Sequence, residues 1–132
     1  MTQEDAIIYT NNLLIKHGLA QKGWSVAISR AIGICGQCHF GKKIIYLSKH
    51  FVALNDDATV IDVVLHELAH ALVGPQHGHD KVWKAKCVAL GCKPERLVKD
   101  AQTKEGKYVA KCNCGKKYFR QRLTASISRL YC

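Results

Sequence analysis

Residues 57–73 read DATVIDVVLHELAHALV, and no other segment constrains the fold as strongly. The Asn55-Asp56-Asp57 cluster before it and Gly74-Pro75 after it are start and stop signals of a helix. Val63, Val64, Leu65, Leu68, Ala69, Ala71 and Leu72 make it apolar around most of its surface, so the pattern predicts a largely buried helix over 57–73. His66, Glu67 and His70 stand in its middle. Residues four apart share a helix face, so His66 and His70 can present both imidazoles to one ion. Glu67 follows about 100° further round, given roughly 3.6 residues per turn. The ordinary alternative is a pair of surface histidines on a charged helix. The apolar flanks argue against it, because buried His and Glu need partners and a metal supplies them. A zinc ion there would bring bound water to a pKa near about 7, with Glu67 as general base and later acid.

The surrounding pattern predicts an α+β fold. Thr2 with Asp5 resembles a capping arrangement, and Ala6, Ile7, Ile8, Leu13, Leu14 and Ile15 give a helix near 3–17 ending at Gly18. Trp24–Ser29 alternates like a strand, Ile32 and Ile34 continue a strand pattern, and Ile44–Leu47 reads as a third strand after the Gly41-Lys42-Lys43 turn. Ser48 is placed to cap a short helix through Leu54, and Asp80 to open another through Trp83, Cys87 and Leu90 to Gly91. The expected architecture is helices packed on a small antiparallel sheet, followed by a short β-rich tail.

Seven cysteines, an odd number, without a basic leader argue for metal ligation in a reducing compartment rather than for a disulfide framework. No apolar run reaches the roughly 18 residues of a membrane span. The expected setting is intracellular, cytoplasmic or nucleoid-associated, for a monomer without membrane contact. The net charge of +10 is uneven. Residues 1–98 carry eleven Lys and Arg against eight Asp and Glu; residues 99–132 carry nine against two. This predicts a core over 1–98 and a basic tail over 99–132. In the tail, Lys116, Lys117, Arg120, Arg122 and Arg129 alternate with Tyr118, Phe119 and Tyr131, which suits phosphate contact and stacking on unpaired bases. A solvated charged face is the plainer alternative.

A catalytic zinc wants a third protein ligand and an open position. Val73 and Gln76 stand where the longer metzincin pattern has glycine and histidine, and Met1 is the only methionine, which excludes that class. His77 and His79 remain, both just past the Gly74-Pro75 turn. In the tail, Cys112, Cys114 and Cys132 offer three thiolates for a second, structural zinc, a set that needs another group to close. The alternative is a basic hairpin with free thiols. Cys35-Gly36-Gln37-Cys38 is an isolated C-x-x-C expected between strands, with Cys35 a small core residue. Cys87 is expected in the core, and Cys92 as a loop thiol or spare ligand. Tyr46 is an oxyanion candidate by residue type alone.

The segments HELAHAL at 66–72, GHDKVW at 78–83, Gly33-Ile34-Cys35, Ile44-Ile45-Tyr46-Leu47-Ser48 and the basic cysteine tail together resemble the SprT-like zinc metalloproteases. That group includes the Spartan-type proteases for DNA–protein crosslinks. The resemblance implies a zincin-like core and a third ligand followed four positions later by an aromatic. Counted from His79 that residue is Trp83; counted from His77 it is Lys81. The resemblance thus favours His79, with Asp80 where the family usually has glycine, while His77 keeps the adjacent Gly78. It also implies that Cys112 and Cys114 open a zinc ribbon, with Cys132 where its closing pair begins.

Two functions fit these features. One is a zinc endopeptidase using Glu67, His66, His70 and His79, acting on proteins bound or crosslinked to DNA, with the tail holding DNA, single strands included. The other is a non-catalytic zinc-stabilised DNA-binding module. Glu67 discriminates them, because a purely structural site has no use for a carboxylate beside an open coordination position.

Overall fold

The computed structural model describes residues 1–95. The tail candidates Cys112, Cys114, Cys132, Lys116, Lys117, Arg120, Arg122 and Arg129, and the expected boundary at 98/99, lie outside the described residues. The described chain runs α1 (Gln3–Lys16), β1 (Ser25–Ser29), β2 (Gly36–His39), β3 (Ile44–Ser48), α2 (Lys49–Leu54), α3 (Asp57–Val73) and α4 (Lys81–Leu90), with a 3-10 turn at Ala20–Lys22. It is an α+β fold, as expected.

Each helix starts where a short polar side chain can take an otherwise orphaned amide. Thr2 and Asp5 form a reciprocal capping box on α1. Ser48 accepts from the Phe51 amide, Asp56 from Thr59 at 2.9 Å and Asp80 from Trp83 at 3.0 Å. These bonds hold the Asp56 and Asp80 carboxyls below their ordinary range. For Asp56 both leading causes are hydrogen bonds from Thr59; for Asp80 the Trp83 amide leads and His77 follows. Gly91 ends α4 in the left-handed region at φ 91°, which glycine adopts without Cβ strain.

The sheet order is β1-β3-β2. β2 and β3 pair antiparallel, but β1 lies parallel to β3, so the sheet is mixed rather than wholly antiparallel. The cause is placement. β3 inserts between the two earlier strands, and its Ile45 and Leu47 are fully buried, so the most apolar strand takes the centre. The second strand is also displaced from its expected place. Ile32 and Ile34 lie outside it, and Gly36–His39 forms it instead. The C-x-x-C therefore does not sit between strands; most of it is a strand.

Register decides which side chains share a face. Val26 and Cys38 both pair with Ile45, while Ile28 and Gly36 both pair with Leu47, so these six residues share one face. Their apolar members pack with α1 and α3 in two adjoining clusters. Ala27, Gln37 and Tyr46 share the opposite, half-exposed face. Among the described residues, no helix is long and apolar enough to cross a membrane.

Candidate metal centre

The central helix buries its chemistry. His66, Glu67 and His70 are each 0% exposed, alongside Val63, Val64, Leu68 and Ala69. Trp83 of α4, also fully buried, organises the histidines. Its ring stacks near-parallel on His66 (centroids 5.4 Å, 24° between planes) and on His70 (5.0 Å, 20°). It meets His79 edge-on at 4.6 Å. Its indole N–H donates to the His66 carbonyl at 3.2 Å, tying α4 to α3. Asp80 sets this up by capping α4 at Trp83.

The two loop histidines part company here. His79 turns back on the helix, its ring 5.0 Å from that of His70. His77 pairs through Nδ1 with Asp80 Oδ2 at 2.8 Å on the surface. Two imidazoles on one tetrahedral zinc, with Zn–N of about 2.0 to 2.1 Å, hold their ring centroids about 5 Å apart. The His70–His79 separation meets that requirement. Three imidazoles with a carboxylate one residue along also suit zinc chemically. His66 has a further neighbour, because its Nε2 meets the Lys93 carbonyl and its Nδ1 lies 3.5 Å from Asp62 Oδ2. The Lys93 carbonyl thus occupies the place beside Nε2 that an ion would take. Ligation through Nε2 therefore requires the Lys93 peptide to withdraw.

Glu67 faces the edge strand β2. A Cβ placed on Gly36 would lie 3.3 Å from Glu67 Cγ, 3.3 Å from Val63 Cγ1 and 3.1 Å from the Tyr46 carbonyl, so a side chain there would press on Glu67 and its neighbours. Burial, and then the charge of Glu67, push the Cys38 thiol well above its ordinary range. Sequence reasoning missed Gly36; its signal was a glycine inside a strand-length segment. Tyr46 is no oxyanion candidate at this site, since it shares the far face of the sheet with Gln37. The C-x-x-C does not converge either. Cys38 and His39 alternate across β2, and Cys35 and Cys38 pack in different clusters.

The thiols on the other side of His66 do converge. His66, Cys87 and Cys92 are all buried, and their ligand atoms lie within 4.8 Å of one another. Cys87 is core, as expected; Cys92 lies in the loop just past Gly91, as expected, and is buried there at 6% exposed. This group could hold a metal, and it was hidden in the sequence by the helix end between the two cysteines.

Nothing among curated proteins or solved structures matches this chain. The SprT-like family model matches residues 5–104, which takes in every element described above except the first two residues of α1. On that match, and with the helix, strand and histidine arrangement it covers, the chain belongs to the SprT-like family.

Proposed function

We propose that this protein is a zinc-dependent endopeptidase that cleaves proteins bound or crosslinked to DNA, held there by the basic segment 99–132. The observation that carries the reading is Glu67, fully buried on α3 between His66 and His70, with His79 folded back against His70. Membership of a family associated with metallopeptidase-like chemistry supports it. His66, His70 and His79 would hold the ion, which when bound supplies Lewis acidity and acidifies water. Glu67 takes a proton from the attacking water on a carboxylate oxygen and returns it to the leaving nitrogen. Gly36 leaves room for the Glu67 side chain at its Cγ, and Trp83 packs against the three rings. The tail would raise the local concentration of substrates on DNA through phosphate contacts, a salt-sensitive effect.

The test is Glu67→Gln, nearly isosteric and neutral. Zinc content and melting temperature should stay at the wild-type level, while cleavage of a DNA-bound protein falls by roughly 10²-fold or more. Unchanged cleavage would remove Glu67 as the base. A variant that binds DNA while neither it nor the wild type cleaves would favour the non-catalytic module.

A further inference from the structure

We propose that His66, Cys87 and Cys92 form a soft-metal site with one nitrogen and two sulfur donors, distinct from the His66–His70–His79 set. It stands on geometry alone and does not depend on the peptidase reading. The three donors come from three places in the chain: α3, the last turns of α4, and the strap that follows Gly91.

Backbone bonds place each donor. The Gly91 turn reverses the chain so that the Cys92 amide donates to the Cys87 carbonyl at 2.9 Å, which staples the two cysteines together. The Lys93 amide donates to Asp62 Oδ1 at 3.2 Å, anchoring the strap to α3 one turn before His66. The Lys93 carbonyl meets His66 Nε2, and Trp83 holds the His66 carbonyl. The resulting spread, within 4.8 Å, is close to what one ion imposes. On a tetrahedral centre with metal–sulfur bonds of about 2.3 Å and metal–nitrogen bonds of about 2.0 Å, neighbouring donors sit about 3.5 to 4 Å apart. Thiolates with an imidazole select soft or borderline ions such as Zn(II), Cd(II) or Cu(I). Ordinary packing of two buried cysteines accounts for their apolar setting, but not for both sulfurs lying within 4.8 Å of a nitrogen of the polar His66 ring.

The two metal sets share His66 and differ in everything else. The thiolate set needs the strap in place. Ligation through His66 Nε2 needs Lys93 withdrawn, which would draw its neighbour Cys92 away.

The experiment uses the full chain with Cys112, Cys114 and Cys132 replaced by serine, so that only core thiols remain to bind. Cd(II) is titrated, and thiolate-to-cadmium charge transfer is read in the near ultraviolet. One ion per chain should bind with the absorption of two thiolates. Cys92→Ala should halve that absorption, Cys87→Ala/Cys92→Ala should abolish it, and Cys38→Ala and His79→Ala should leave it intact. Absence of the band in the tail-silenced protein, which needs no core substitution, would overturn the site. So would a band that survives the double replacement, or one lost with His79→Ala, since the latter would assign the ion to the histidine set. If neither the wild type nor Glu67→Gln cleaves while the band behaves as expected, the peptidase reading fails and this site stands.

Discussion

Gly36→Ala sets two effects of opposite sign against each other, and the contacts of the site decide between them. Gly36 does not have a positive φ, so alanine fits the backbone there. On that ground the change should stabilise by about 0.4 to 1 kcal/mol, by narrowing the unfolded ensemble. The new methyl, however, would meet the Tyr46 carbonyl at 3.1 Å and the Glu67 and Val63 side chains at 3.3 Å. The Tyr46 carbonyl belongs to β3, the central strand, and Val63 is fully buried on α3, so neither has open space to retreat into. Overpacking of this kind costs about 1 to 3 kcal/mol. The net expectation is a loss of roughly 1 to 2 kcal/mol, which is about 4 to 16 °C in melting temperature at roughly 4 to 8 °C per kcal/mol for a domain of this size. Gly78→Ala is the control: a Cβ there has no neighbour within 4 Å, so stability should stay within about 0.5 kcal/mol. Both proteins are to be compared by urea unfolding and by cleavage of a DNA-bound protein. Because the most mobile of the three neighbours is the Glu67 side chain, Gly36→Ala should lose more activity than its unfolded fraction explains. A variant as stable as the wild type and equally active would show that β2 does not press on Glu67.

Trp83→Ala removes a fully buried indole that touches all three histidine rings, so it should cost about 3 to 5 kcal/mol in urea unfolding; a loss under about 1 kcal/mol would deny Trp83 its role as their common wall. His79→Ala should weaken zinc binding by roughly tenfold or more, about 1.4 kcal/mol, whereas His77→Ala should leave it unchanged because His77 is engaged with Asp80; the reverse order, read by zinc titration, would exchange their roles. The Asp56 carboxyl is held below its ordinary value of 3.8 by the Thr59 hydrogen bonds. Its capping contribution is therefore fully present above that value and is lost as pH falls below it through the folded pKa. Asp56→Asn, a cap that does not titrate, should flatten the acid limb of the stability curve, and an unaltered limb would show that Asp56 does not contribute to it.

The helices were legible because their signals are local. Asp56 and Gly74 bound α3, Asp80 and Gly91 bound α4, and Thr2 with Asp5 opens α1, each through a hydrogen bond or turn set within a few residues. The second strand was not legible. Ile32 and Ile34 carry the β-branched side chains that mark a strand, yet Gly36–His39 pairs with β3. Its inward positions are a glycine and a cysteine because a helix bearing Glu67 lies against them, and that is a tertiary fact. Strand order was equally hidden, since β1 pairs directly with β3 although β2 lies between them in the chain.

What the sequence alone determined is the chemistry along one helix. The spacing of His66 and His70, and the position of Glu67 between them, follow from the helical period once an apolar, well-capped segment is recognised. Family membership was likewise readable from short motifs. The spacing to Trp83 already favoured His79 over His77, but where each ring points depended on the tertiary structure, because whether a loop histidine turns to His70 or to Asp80 is set by how α4 docks. Only the tertiary structure brought Cys87 and Cys92 to His66, through a turn at Gly91 and a strap anchored on Asp62. Local periodicity fixes which residues share a face; contacts between segments distant in the chain are set by packing, which no short stretch of sequence encodes.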